Sequence, residues 1–166
     1  MILALDVHYK ENYAKVVGVV YDEKNEHIKK WYIKEINSYV DYIPGKFYKK
    51  ELPCLTAMLE EVPKGTFELI IIDGYVYVNN ELSLGLGGYL YHYLDKKIPI
   101  IGVAKNYFQN NQETVAKIYR GSSMNPLYIS SIGINLLKAA EMVKGMNGPF
   151  RIPDTLKQLD MMTKDN

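Results

Sequence analysis

The chain has 166 residues, 48% hydrophobic and 23% charged, with a net charge of +1. That length holds one domain with a sizeable core and leaves little room for two, and the near-neutral balance lacks the positive excess by which many nucleic-acid binders announce themselves. No apolar run approaches the roughly 20 residues of a membrane span, and the single Cys54 rules out an internal disulfide.

The start, "MILALDVHYKENY", has neither a basic leader nor a small-residue cleavage site, so it is expected to be mature structure. A lone thiol suits a reducing cytoplasm. "ILALDVHY", "YAKVVGVVYD" and "HIKKWYIKEI" read as strands, the last alternating as a half-exposed strand does. Their short connections make antiparallel neighbours. After the loop "NSYVDYIPGKFYKKE", the segment "ELPCLTAMLEEV" has helical spacing at Leu55, Met58, Leu59 and Val62, with Pro53 near its start. "ELIIIDGY" is a strand buried on both faces. "GLGGYLYHYLDKK" reads as a helix whose glycines permit close packing, and "IPIIGVAK" as another buried strand. "PLYISS" is a strand, "NLLKAAEMVKGM" a helix capped by Asn135, and "PDTLKQLDMMTKD" a short last helix. There is no repeat, linker or low-complexity stretch. Three antiparallel strands followed by helix-connected strands predict an α/β fold with a mixed sheet, in the element order of the ribonuclease H-like fold.

Two of these strands carry a carboxylate where apolar residues are expected. Asp6 interrupts "LALDV", and Asp73 ends "LIIID". Asp73 alone is also an ordinary turn starter before Gly74. Asp6 is harder to dismiss, since Leu3, Ala4, Leu5 and Val7 place it mid-strand. Mg²⁺ takes oxygen ligands, keeps several waters, and is held by one or two carboxylates plus a substrate phosphate. Adjacent strands presenting Asp6 and Asp73 on one face meet that need, with Glu51 as a third carboxylate from the loop and first helix. The chemistry would be phosphodiester hydrolysis. His8 shares a face with Asp6 by strand alternation, and a surface or supporting role suits it better than ligation. The fifteen tyrosines are read first as compositional bias, with base stacking reserved for any that flank the site.

The residues also carry a resemblance. "LALDVHY" with "AKVVGVV", then "DYIPGKFYKKELP", "IIIDGY", "IPIIGVAK", "PLYISSIG" and "FRIPDTLKQLD" resemble, in order and near the right spacing, the motifs of the endonuclease V family. These nucleases nick strands beside deaminated adenine, that is, inosine. The resemblance implies that Asp6, Glu51 and Asp73 are catalytic carboxylates binding Mg²⁺ or, as a substitute, Mn²⁺. It implies that Lys105 neutralises phosphate charge, and that Asp160 completes the metal site. Tyr42, Ile43, Pro44 and Gly45 would form a wedge that fills the gap when the altered base is flipped out. Gly74 would admit that base close to the backbone.

The implied enzyme is a Mg²⁺-dependent endonuclease cutting DNA or RNA at the second phosphodiester bond 3′ to inosine, as a monomer in the cytoplasm with no membrane partner. A catalytically weak nucleic-acid-binding homologue, or a nuclease of this fold with a structure-specific substrate, is the alternative. Several positions depart from the family pattern. The single domain, 1–166, is expected to lack the usual N-terminal extension. Val76 stands where a second glycine is common, which would put a Cβ against the base. Asn79 stands where a histidine is thought to approach the phosphate. Lys50 replaces an arginine, keeping the charge and losing bidentate geometry.

Overall fold

 The structure is a computed structural model that describes residues 1–37 and 48–165. β1 (Ile2–Tyr9), β2 (Ala14–Tyr21) and β3 (Ile28–Ile36) form an antiparallel meander. β4 (Leu69–Asp73) runs parallel to β1, and β5 (Ile100–Ala104) parallel to β4. Parallel neighbours need crossovers, and two helices supply them: α1 (Tyr48–Glu61) precedes β4 and α2 (Leu86–Tyr93) precedes β5. β6 (Ala116–Ile118) and β7 (Leu127–Ile132) extend the sheet antiparallel, giving the order β3-β2-β1-β4-β5-β7-β6. α3 (Leu136–Lys144) and α4 (Asp154–Lys164) close the chain. The architecture is the ribonuclease H-like fold that the element order predicts.

Strand alternation sorts the core into two layers. Leu3, Leu5, Ile70 and Ile72 face α1 and α2, where they meet Leu55, Met58 and Leu90. Ile2, Ala4, Ile71, Ile101 and Val103 face α3 and α4, where they meet Ala139, Val143 and Leu159. Each buried Leu, Ile or Val stabilises the fold by roughly 1.5–3 kcal/mol relative to exposure. The central strands are buried on both sides and β3 only on one, which explains its alternating sequence.

The structure differs from the sequence reading in two places. α1 begins by Tyr48, so Pro53 lies in the helix rather than in its first turn. A proline there has no N–H to offer the Lys49 carbonyl; burial of Cys54, Leu55 and Met58 on the same helix offsets that loss. β6 and the 3-10 turn Gln109–Thr114 were not anticipated, because a three-residue edge strand and a polar turn have too few residues to show a period.

Candidate active site

Register places the two aspartates. Ala4 pairs with Ile71 and Leu5 with Ile72 across β1 and β4. Ala4 and Ile71 both belong to the core layer under α3 and α4. Asp6 and Asp73 lie two residues further along each strand, so alternation puts both on that same face. Lys105 stands two residues beyond Val103, which also belongs to this layer. Three neighbouring strands thus deliver two carboxylates and an ammonium to one end of one sheet face.

Lys105 Nζ donates to Asp73 Oδ2 at 3.3 Å and lies 3.7 Å from Asp160 Oδ1. Asp160 comes from α4, and Lys164, one turn on, donates to its Oδ2 at 2.9 Å. The residue expected to complete a metal site therefore sits between two ammonium groups. Asp6 Oδ1 accepts from the Val7 N–H at 2.9 Å. Thr163 Oγ1 lies 3.3 Å from Asp6 Oδ2 and donates to the Asp160 carbonyl at 2.6 Å. The sequence reading did not identify Thr163 or Lys164; their helical spacing from Asp160 was the available signal.

Glu51 reaches the site from the other layer. It shares the inward side of α1 with Cys54, Leu55 and Met58, one turn nearer the N-terminus, and it lines the same open groove as Asp6 and Asp73. Burial, then the charges of Asp73 and Asp6, push its carboxyl up to about 7. Asp6 is likewise pushed up to about 7 by burial and then by Asp73, which outweigh the Val7 hydrogen bond and Lys105. Burial works against the Lys105 ammonium, but Asp73, Asp160 and Asp6 outweigh it and hold its pKa above the ordinary value. Lys50 Nζ lies 3.8 Å from the centre of the Tyr9 ring, a cation–π contact in place of a bidentate guanidinium pair.

The donor set is all oxygen, which suits a hard divalent cation. Among the described residues, no three histidine, cysteine or carboxylate side chains already stand at the spacing of a closed metal cage. Mg²⁺ needs none, because waters and substrate phosphates fill most of its shell.

The groove has a volume of about 820 Å³ and runs past Asp6, Glu51, Asp73, Gly74 and Lys105 to an aromatic wall of Tyr75, Tyr77, Tyr107 and Phe108. His8 also lines it. Gly74 has φ +139, a conformation that L side chains rarely adopt, and a Cβ built there would meet only Leu86 at 3.8 Å. Space beside its backbone is therefore open. Tyr42, Ile43, Pro44 and Gly45 lie outside the described residues.

The expectation for Val76 is overturned, and Asn79 is engaged in a turn. Val76 does not face the groove: it is fully buried, its N–H donates to Ser130 Oγ at 2.9 Å, and its Cγ2 lies 2.9 Å from where a Gly87 Cβ would stand. The glycine of α2 and the valine are one packing unit. Asn79 is also turned away from the groove's lining. Its Oδ1 accepts from the N–H groups of Glu81 and Ser83 at 3.1 and 3.0 Å, and its Nδ2 donates to Ser83 Oγ at 2.8 Å. It shapes a turn, a common task for asparagine.

The chain is 28% identical over 166 residues to endonuclease V of Pyrococcus horikoshii, covering 98% of this chain and 72% of that one. Its fold is similar to human endonuclease V, with TM-score 0.80 and 18% identity over 98% of this chain and 82% of that one. It is also similar to a Ciona intestinalis endonuclease V bound to DNA containing an inosine, with TM-score 0.82 and 16% identity over 98% and 83% of the two chains. The sequence model of the Endonuclease V family matches residues 1–161, and the chain belongs to that family.

Proposed function

We propose that this protein is a Mg²⁺-dependent endonuclease, with Mn²⁺ as a substitute, that nicks DNA or RNA at the second phosphodiester bond 3′ to inosine. The observation that carries the reading is the meeting of Asp6 and Asp73 on one sheet face, with Glu51 converging from α1 and both Asp6 and Glu51 pushed up to about 7. Such a cluster calls for a cation that the nearby lysines only partly replace. When bound, the cation supplies a Lewis acid that acidifies the attacking water and stabilises charge on the leaving oxygen. Asp6, Glu51 and Asp73 would hold it and activate the water, with Asp160 completing the site. Lys105 places positive charge beside the phosphate, leaving 3′-hydroxyl and 5′-phosphate ends. Gly74 lets the flipped base approach the backbone, while Tyr42, Ile43 and Pro44 fill the vacated gap by family resemblance. The family membership and the inosine-containing complex of the Ciona relative support the substrate.

The test is cleavage of matched oligonucleotides, with and without one inosine, as DNA and as RNA, in Mg²⁺. Preferential nicking of the inosine strands is expected. Equal cutting of both sets would defeat the inosine assignment, and a structure-dependent pattern would favour the other nuclease reading.

A further inference from the structure

The far wall of the groove is made of rings that the carboxylate chemistry leaves unused. Tyr107 and Phe108 follow Lys105 by two and three residues, are 56% and 38% exposed, and both line the groove. Isolated exposed aromatics need no explanation. These two are consecutive, continuous with the proposed catalytic groove, and fixed in pose. The Tyr75 hydroxyl donates to the Asn106 carbonyl, and Gln112 Nε2 donates to the Phe108 carbonyl at 2.6 Å. The Phe108 ring lies 6.0 Å from Tyr75 at 41°, and Tyr107 meets the edge of Tyr128 at 6.0 Å. Lys117 Nζ stands 5.9 Å from the Tyr107 ring centre. Asn111, fully buried, donates to the Tyr77 carbonyl at 2.8 Å and ties the following turn to the same wall.

We propose that Tyr107 and Phe108 form a stacking platform for unpaired nucleobases beside the bond that is cut, with Lys117 meeting the accompanying phosphate. The proposal rests on the nuclease reading and extends it to the strand's conformation. Aromatic faces accept any base, whereas a neighbouring ammonium favours the polyanion that carries it. A rigid loop lowers the ordering cost of capture.

The probe is a fluorescent, inosine-free single-stranded oligonucleotide, titrated against the full chain without divalent cation beside a fully abasic strand with the same number of phosphates. The parent should bind the intact strand roughly ten- to a hundredfold more tightly than the abasic one. Tyr107→Ser and Phe108→Ser should each shrink that ratio, and Tyr107→Trp should retain it. Serine variants with the parent's ratio would overturn the platform, as would a parent that binds both strands alike. Because the probe lacks inosine, the result is independent of the lesion assignment: persistent inosine-specific cutting without that ratio sinks the platform alone. A protein docking on these rings would give the same overturning result.

Discussion

Arg151 Nη2 donates to the backbone carbonyls of Lys105 and Pro126, at 2.6 and 2.8 Å. One guanidinium thus ties the residue after β5 to the approach of β7, from the segment that leads into α4. It fixes the backbone from which the Lys105 ammonium reaches Asp73 and Asp160. Arg151→Met keeps much of the stem and removes both donors. The expected loss is about 1–3 kcal/mol in urea unfolding, the cost of partly buried acceptors left unpaired. Cleavage should fall as well, and unchanged stability and rate would refute the positioning role.

Asp6 and Glu51 set a pH dependence of opposite sign to that of an ion-paired carboxylate. Their folded pKa values are raised to about 7, so the folded chain binds more protons than the unfolded one between the ordinary carboxylate range and neutrality. Their contribution is full below that range and is lost as pH rises through about 7. Asp160, whose pKa is lowered, works the other way at acid pH. In metal-free buffer, Asp6→Asn should therefore lose less stability than the parent between pH 5 and 8 on the order of 1 kcal/mol, read as about 2–4 °C in melting temperature. Parallel curves for the two proteins would contradict the clustering of charge.

Asp73 raises both Asp6 and Glu51. Asp73→Ala should consequently melt no lower than the parent without a divalent cation, while cleavage falls by more than about 100-fold. Excess Mg²⁺ should raise the parent's melting temperature, by about 2.7 kcal/mol of stability at a hundred times Kd, and the variant's by less. An active Asp73→Ala protein would refute the shared-cation arrangement.

Val76 is packed in the core rather than presented to a base. Val76→Ala should cost roughly 1.5–3 kcal/mol by thermal or urea unfolding. Its preference for inosine over adenosine should match the parent's. A changed preference at full stability would return Val76 to the groove.

Much of this protein was legible locally. The strand from Leu69 to Asp73 announced itself by an unbroken apolar run, and Asn135 by its place ahead of Leu136, where its Oδ1 accepts the Lys138 N–H at 3.1 Å. Short or conditional features were not legible. β6 has too few residues for a pattern, and α1 extends back into a stretch that reads as loop. Val76 was misjudged because its orientation depends on Ser130 and Gly87, partners that spacing alone does not name.

The sequence by itself determined the longer strands, the presence of the helices and the identity of the acidic residues, since period and residue type are properties of neighbours along the chain. Only the tertiary structure decided which of those groups share a face. Asp6 and Asp73 are 67 positions apart, and parallel pairing of β1 with β4 brings them together. The same packing brought Lys105 to Asp160 and turned Val76 inward, because burial and charge are settled by whatever the fold brings alongside.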